Sequence, residues 1–152
     1  MARESSKILS AADQKAAAVA NKNALKDAVA QLKATASALT AHKKEADKVL
    51  KQAEKDEIAA NKAAAKKQVE LEKAVVAAEK VVGKYPTKDN KAELKEAKQA
   101  LTAHIKQAVA DGKARTKAAK EAAKAAATKA KELEKAHTAA SRAHIKLAPA
   151  AA

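Results

Sequence analysis

Gly83-Lys84-Tyr85-Pro86-Thr87-Lys88-Asp89-Asn90 is the stretch on which the fold turns. It gathers Gly, Pro, Asp and Asn inside a chain that otherwise runs on Ala, Lys, Glu and Leu. Gly83 suits the position just past a helix end, where a left-handed conformation costs no Cβ clash. Pro86 prevents the helix from continuing and biases Tyr85 away from helical angles. Asn90 followed by Glu93 reads as the cap of a second helix, with Asp89 near its positive end. These signals predict a loop over 83–89, a first helix over 11–82 and a second over 90–148. The expected fold class is all-α: a long antiparallel two-helix hairpin, an Ala-rich coiled coil packed against further helices in an assembly.

Working outward, Ala11 to Val82 contains neither Gly nor Pro. Leu25, Val29, Leu32, Ala36 and Leu39 alternate at spacings of four and three, the seam of a coiled coil. The pattern continues through Ala46, Leu50 and Ala53, loosens around Ile58–Val69, and returns as Leu71, Val75, Ala78, Val82 and Tyr85. A discontinuity or a change of packing partner is expected at the loosening. The second helix has its seam at Leu94, Leu101, Ile105, Ala108, Gly112, Ala119, Ala122, Ala126, Leu133, Ala140 and Leu147. Asp111-Gly112 is its weakest point, costing about 1 kcal/mol relative to Ala, and a kink is allowed there. Met1–Ser10 reads as a polar lead-in carrying Ile8 and Leu9, with Ser10 and Asp13 forming a capping-box-like pair. Pro149 and the alanines after it read as a tail.

Composition supports helix over globule. Of 152 residues, 101 are Ala, Glu, Lys, Leu or Arg, while Leu, Ile and Val together number 23 and Phe is absent. Such a chain favours helix strongly but cannot build a thick core. At 1.5 Å per residue the two helices would be roughly 110 Å and roughly 90 Å long. Two rods with an alanine seam bury little, so more copies or another protein are expected to complete the packing. Absence of Cys removes disulfides and thiolate chemistry. No apolar run approaches membrane-spanning length and no secretory signal is recognisable, so a cytoplasmic or particle-enclosed setting is expected.

The charge pattern carries the functional reading. Formal net charge is +14. At 100° per residue, Lys15, Lys22, Lys26, Lys33, Lys44, Lys48, Lys51, Lys55, Lys62, Lys66, Lys73 and Lys80 share a sector of roughly 80° that holds no acid. In the second helix Lys95, Lys106, Lys113, Lys117, Lys120, Lys124, Lys131, Lys135, Arg142 and Lys146 do the same, opposite the seam, with Lys88 joining them if the helix starts early. Exposure alone explains lysines on an outer face but not the exclusion of carboxylates. The residues expected to hold a polyanion are Lys44, Lys48, Lys51, Lys55, Lys62, Lys66, Lys106, Lys113, Lys117, Lys120, Lys124, Lys131, Lys135 and Arg142. Such stripes match phosphates through counterion release, without sequence preference. With three Arg and one aromatic the chain lacks the means to read bases or stack on them. A membrane is not the expected partner, because no Trp or Phe is available to insert.

Other constellations are weak. His137 and His144 lie seven residues apart near the seam, with His42 and His104 elsewhere; register-setting or solvated histidines fit better than a metal site. Ser37 and Ser141 have no His/Asp partners at a usable spacing. Tyr85 is expected to pack over the hairpin end. No cofactor is implied, and an enzyme is not expected. In composition Lys113–Lys135 (KARTKAAKEAAKAAATKAKELEK) resembles the Lys/Ala-rich tails of linker-histone-like and bacterial histone-like proteins. The resemblance covers about a seventh of the chain, lacks the proline repeats of such tails, and transfers no residue roles. The expected function is therefore architectural, as a virion- or nucleoid-type protein that grips the nucleic-acid phosphate backbone non-specifically, as a homo-oligomer or part of a large assembly. The alternative is a scaffold protein of a larger particle whose lysines meet an acidic protein surface and no nucleic acid.

Overall fold

The computed structural model describes Ser10–Ala148; the rest of the expected lead-in and the tail from Pro149 lie outside the described residues. Two helices account for nearly all of them, α1 (Ala11–Lys84) and α2 (Lys88–Leu147), and no strand occurs among the described residues. The first begins on a reciprocal cap. Ser10 Oγ accepts from the Asp13 amide at 3.2 Å, and Asp13 Oδ2 accepts from the Ser10 amide at 3.3 Å. Two amides that a helix N-terminus leaves without partners are thus satisfied, and the aspartate does the work usually given to Glu.

The turn differs from the sequence reading in a way that physical chemistry explains. Helix α1 runs through Gly83 to Lys84, and no residue of the described chain has a positive φ. Gly83 is an interior helical residue, not a left-handed terminator. The helix continues because nothing obliges it to stop until Pro86: the Tyr85 amide still reaches Val81 O at 2.7 Å. Lys84 then sits in the last turn, favourably placed against the helix dipole. The connection shrinks to Tyr85-Pro86-Thr87, tied by a bond from the Thr87 amide to Tyr85 O at 2.8 Å.

The cap of α2 is also displaced, from Asn90 to Thr87. Thr87 Oγ1 accepts from the Asn90 amide at 3.2 Å, and the Lys91 amide reaches Thr87 O at 3.1 Å. Asn90 instead points its side-chain amide back to Tyr85 O at 2.7 Å. Two predictions follow from this geometry. Thr87→Ala removes the cap and should cost about 1 kcal/mol, read as a lower midpoint of thermal unfolding. A Cβ added at Gly83 meets nothing within 4 Å, so Gly83→Ala should stabilise by up to about 1 kcal/mol. Destabilisation by that change would restore the left-handed assignment.

Two compact units divide the molecule. In the first, described residues up to Ala46 pack with those from Ala126 onward. Its half-buried positions include Leu25, Val29, Leu32, Ala36, Leu39 and Ala46 against Ala126, Leu133, His137, His144 and Leu147. Among its described residues only Ala28 and Ala140 are buried, 6% and 7% exposed. His42 Nε2 lies 2.9 Å from Ala126 O. Two heptads back along α1 and two forward along α2 from that bond place Ala28 opposite Ala140. Close approach there needs methyl groups, as the alanine seam implies.

In the second unit, Asp47–Ala125, the half-buried positions of α1 are Ala60, Ala64, Gln68, Leu71, Val75, Ala78 and Val82. Steps of four at 60, 64 and 68 precede the return of three and four. The loosening around Ile58–Val69 is therefore absorbed as a local change of phase while the helix stays continuous. Gly112 likewise interrupts nothing in α2. Several expected seam residues are exposed, however: Leu50, Ala53, Ala119 and Ala122, with Ile105 at the threshold. Across 47–59 and 116–125 no residue is even half-buried. Alanine methyls offer too little surface to cover a neighbour, so correct phase does not produce burial. Tyr85 is 66% exposed and does not pack over the turn.

Candidate functional site

Polar groups, not only apolar ones, fix how the helices meet, and this orients everything outside the seam. In the second unit His104 Nε2 is 2.9 Å from Ala64 O. A carbonyl oxygen can only accept, so His104 and His42 must both carry their proton on Nε2. In the first unit Thr35 Oγ1 lies 3.1 Å from His137 Nδ1 while also reaching Gln31 O and Leu32 O. When the hydroxyl proton points to those carbonyls, Thr35 accepts from the ring. His42 and His104 were expected away from the seam and stand in it. Arg115 was also missed: its Nη2 donates to Asn61 Oδ1 at 3.1 Å, while its buried Nε has no hydrogen-bond partner. A composition rich in lysine hides such residues, because only their angular phase distinguishes them.

With the seams set, the opposite faces follow. Every one of the fourteen expected polyanion contacts is exposed. In the second unit α1 presents Lys48, Lys51, Lys55, Lys62 and Lys66, and α2 presents Lys106, Lys113, Lys117, Lys120 and Lys124. In the first unit Lys44 stands on α1, and Lys131, Lys135 and Arg142 stand on α2. The two helices do not merge their stripes. Each stripe faces away from the seam bonds, so a unit has two cationic flanks on opposite sides.

Shallow grooves run along these flanks. One on α2 is lined by Lys91, Lys95, Lys98 and Lys106 around Leu94 and Thr102. A second holds Lys113, Lys117 and Lys120 beside Val109 and Thr116. In the first unit Lys131, Lys135 and Arg142 border a third, which Glu134 also lines. On α1, Lys73 and Lys80 flank Val69 and Val76, with Glu72 at the rim. Lys91 and Lys98 extend the α2 flank beyond the expected set; their phase lies just outside the sector. Lys98 is partly committed, pairing with Glu79 across the seam at 2.9 Å. Exposed as both side chains are, that pair contributes about 0–1 kcal/mol.

The threonines of these grooves turn their hydroxyls inward to the main chain. Thr102, Thr116 and Thr138 donate to Lys98 O, Gly112 O and Glu134 O at 2.8–3.0 Å. The charged groups left on offer are the lysine ammoniums, the Arg142 guanidinium and the carboxylates of Glu72 and Glu134. Ile58, Val69 and Val76 stand among the α1 lysines, 68%, 47% and 49% exposed. No group of three or more His, Cys, Asp or Glu is placed to hold a metal among the described residues. None of the described helices is long and apolar enough to cross a membrane. No protein-family model, curated protein or solved structure matches the chain.

Proposed function

We propose that this chain is a non-enzymatic architectural protein that binds the phosphate backbone of nucleic acid through its lysine flanks, without sequence preference, as a virion- or nucleoid-type component. The observation that supports it is the exposure of all fourteen cationic side chains, with Glu72 and Glu134 as the acids that border their grooves. Lysine supplies a hydrated point charge to phosphate, and binding gains its free energy from released counterions. The shallow grooves offer no enclosed pocket chemistry to compete with that role. Affinity for random-sequence duplex DNA, titrated across salt, tests the reading. Micromolar or tighter binding at low ionic strength that weakens steeply with salt is expected. No binding at low ionic strength would discard it.

A second reading rests on Ile58, Val69 and Val76, apolar side chains left on an outer face of α1. They favour a scaffold role in which further helices, from copies of this chain in an Ala-rich coiled-coil assembly or from an acidic protein, lie over that face. Sedimentation with and without DNA separates the two. The first reading expects the particle to grow only with DNA; the second expects a large particle without it.

A further inference from the structure

Some lysines on these flanks recur at eleven-residue steps as well as at heptad steps. In the second unit Lys51, Lys62 and Lys73 stand at eleven-residue steps on α1, with Lys55 and Lys66 between them on the same flank, and Lys95, Lys106 and Lys117 do so on α2, with Lys113 between them. Eleven residues come within about 20° of three full helical turns, so each trio forms a nearly straight row. Successive lysines of a row are about 16.5 Å apart along the helix axis. A DNA duplex repeats every 34–36 Å or so, and its two strands cross a given line along its surface at about half that interval on average. Unequal grooves make the crossings alternately short and long, and the flexible four-carbon lysine stem takes up the difference. A row of this spacing laid along a duplex meets a phosphate strand at each lysine. A single strand or a flexible polyanion offers no such repeat.

The two rows also stand back to back. His104 on Ala64 O and Arg115 on Asn61 fix the inner faces of the two helices against each other. All six lysines are exposed on the outer faces. Resting on the phosphate-binding reading, we infer that the second unit is bivalent: each row takes a separate DNA duplex lying parallel to the helix, and the protein bridges the two. Two helix diameters keep the duplexes roughly 20 Å apart across the protein. That exceeds the Debye length of about 8 Å at physiological ionic strength, so their mutual repulsion is screened.

The test uses the full chain with two short duplexes bearing different fluorophores, following energy transfer for bridging and anisotropy for binding. Lys48→Gln/Lys51→Gln/Lys55→Gln/Lys62→Gln/Lys66→Gln/Lys73→Gln/Lys80→Gln clears one flank of the unit, Lys95→Gln/Lys106→Gln/Lys113→Gln/Lys117→Gln/Lys120→Gln/Lys124→Gln clears the other, and Lys→Arg versions of both sets keep the charge. Wild type and the arginine versions should bridge. Each glutamine set should bind duplex within a few-fold of wild type through its remaining flank but lose bridging at least tenfold, with helicity unchanged. Bridging that survives in either glutamine set overturns the back-to-back assignment, whereas the phosphate-binding reading would stand. Equal affinity for single strands and duplexes of the same phosphate count overturns the match of spacing. Failure of wild type to bind any duplex removes the phosphate-binding reading itself, and bivalency with it.

Discussion

Replacing Lys51, Lys55, Lys62 and Lys66 on α1 together with Lys106, Lys113, Lys117 and Lys120 on α2 by Gln is expected to lower the salt dependence of DNA binding. Each flank then loses four exposed ammonium groups, and formal net charge falls from +14 by eight. Each phosphate contact contributes about 0.9 to the slope of log affinity against log salt, so the slope should drop by roughly three to four. At 0.1 M salt this amounts to about three orders of magnitude in affinity, shrinking toward nothing near 1 M. Lys and Gln have similar helix propensity, so circular dichroism should not change. Both flanks must be altered together, because one intact flank suffices for binding. An unchanged slope in the eightfold variant would mean that the lysines serve only solubility. Loss of helicity would mean that they help hold the helices.

Ala28→Leu and Ala140→Leu should each destabilise the first unit by about 1–3 kcal/mol. These are the buried alanines that the His42–Ala126 bond sets opposite each other. A larger side chain there must force the helices apart or adopt a poor rotamer. Read as thermal midpoints, the loss is about 2–4 °C per kcal/mol for a chain of this size. Ala53→Leu and Ala122→Leu provide the contrast, since those residues share the seam phase but are exposed. They should change stability by less than about 0.5 kcal/mol. Equal losses at all four positions would show the seam to be tightly packed throughout. Equal indifference would show that Ala28 and Ala140 are not closely opposed.

The histidines show why part of the molecule escaped the sequence. Periodicity identifies apolar residues that recur in phase, and it found Leu25, Leu32, Leu71 and Val82 without help. A lone His or Arg carries only its angular phase as a signal, because its side chain is as compatible with water as with a main-chain acceptor. Only the neighbouring helix, by bringing Ala64 O or Ala126 O within 2.9 Å, turns His104 and His42 into contacts between helices. The lysine flanks were legible for the opposite reason. A charged residue goes where the seam is not, so locating the seam locates the charges.

Two helices, one interruption near Pro86 and a cationic face on each helix were all determined by the amino-acid order. Alanine and lysine favour helix locally, proline removes a donor locally, and angular phase is a property of a single helix. Local bonds that the sequence did not rank decided that Thr87 and not Asn90 caps α2 and that Gly83 stays helical, and tertiary packing decided which in-phase alanines are covered. Those outcomes depend on competing local bonds that differ by about 1 kcal/mol, and on whether a second helix approaches closely enough to exclude water.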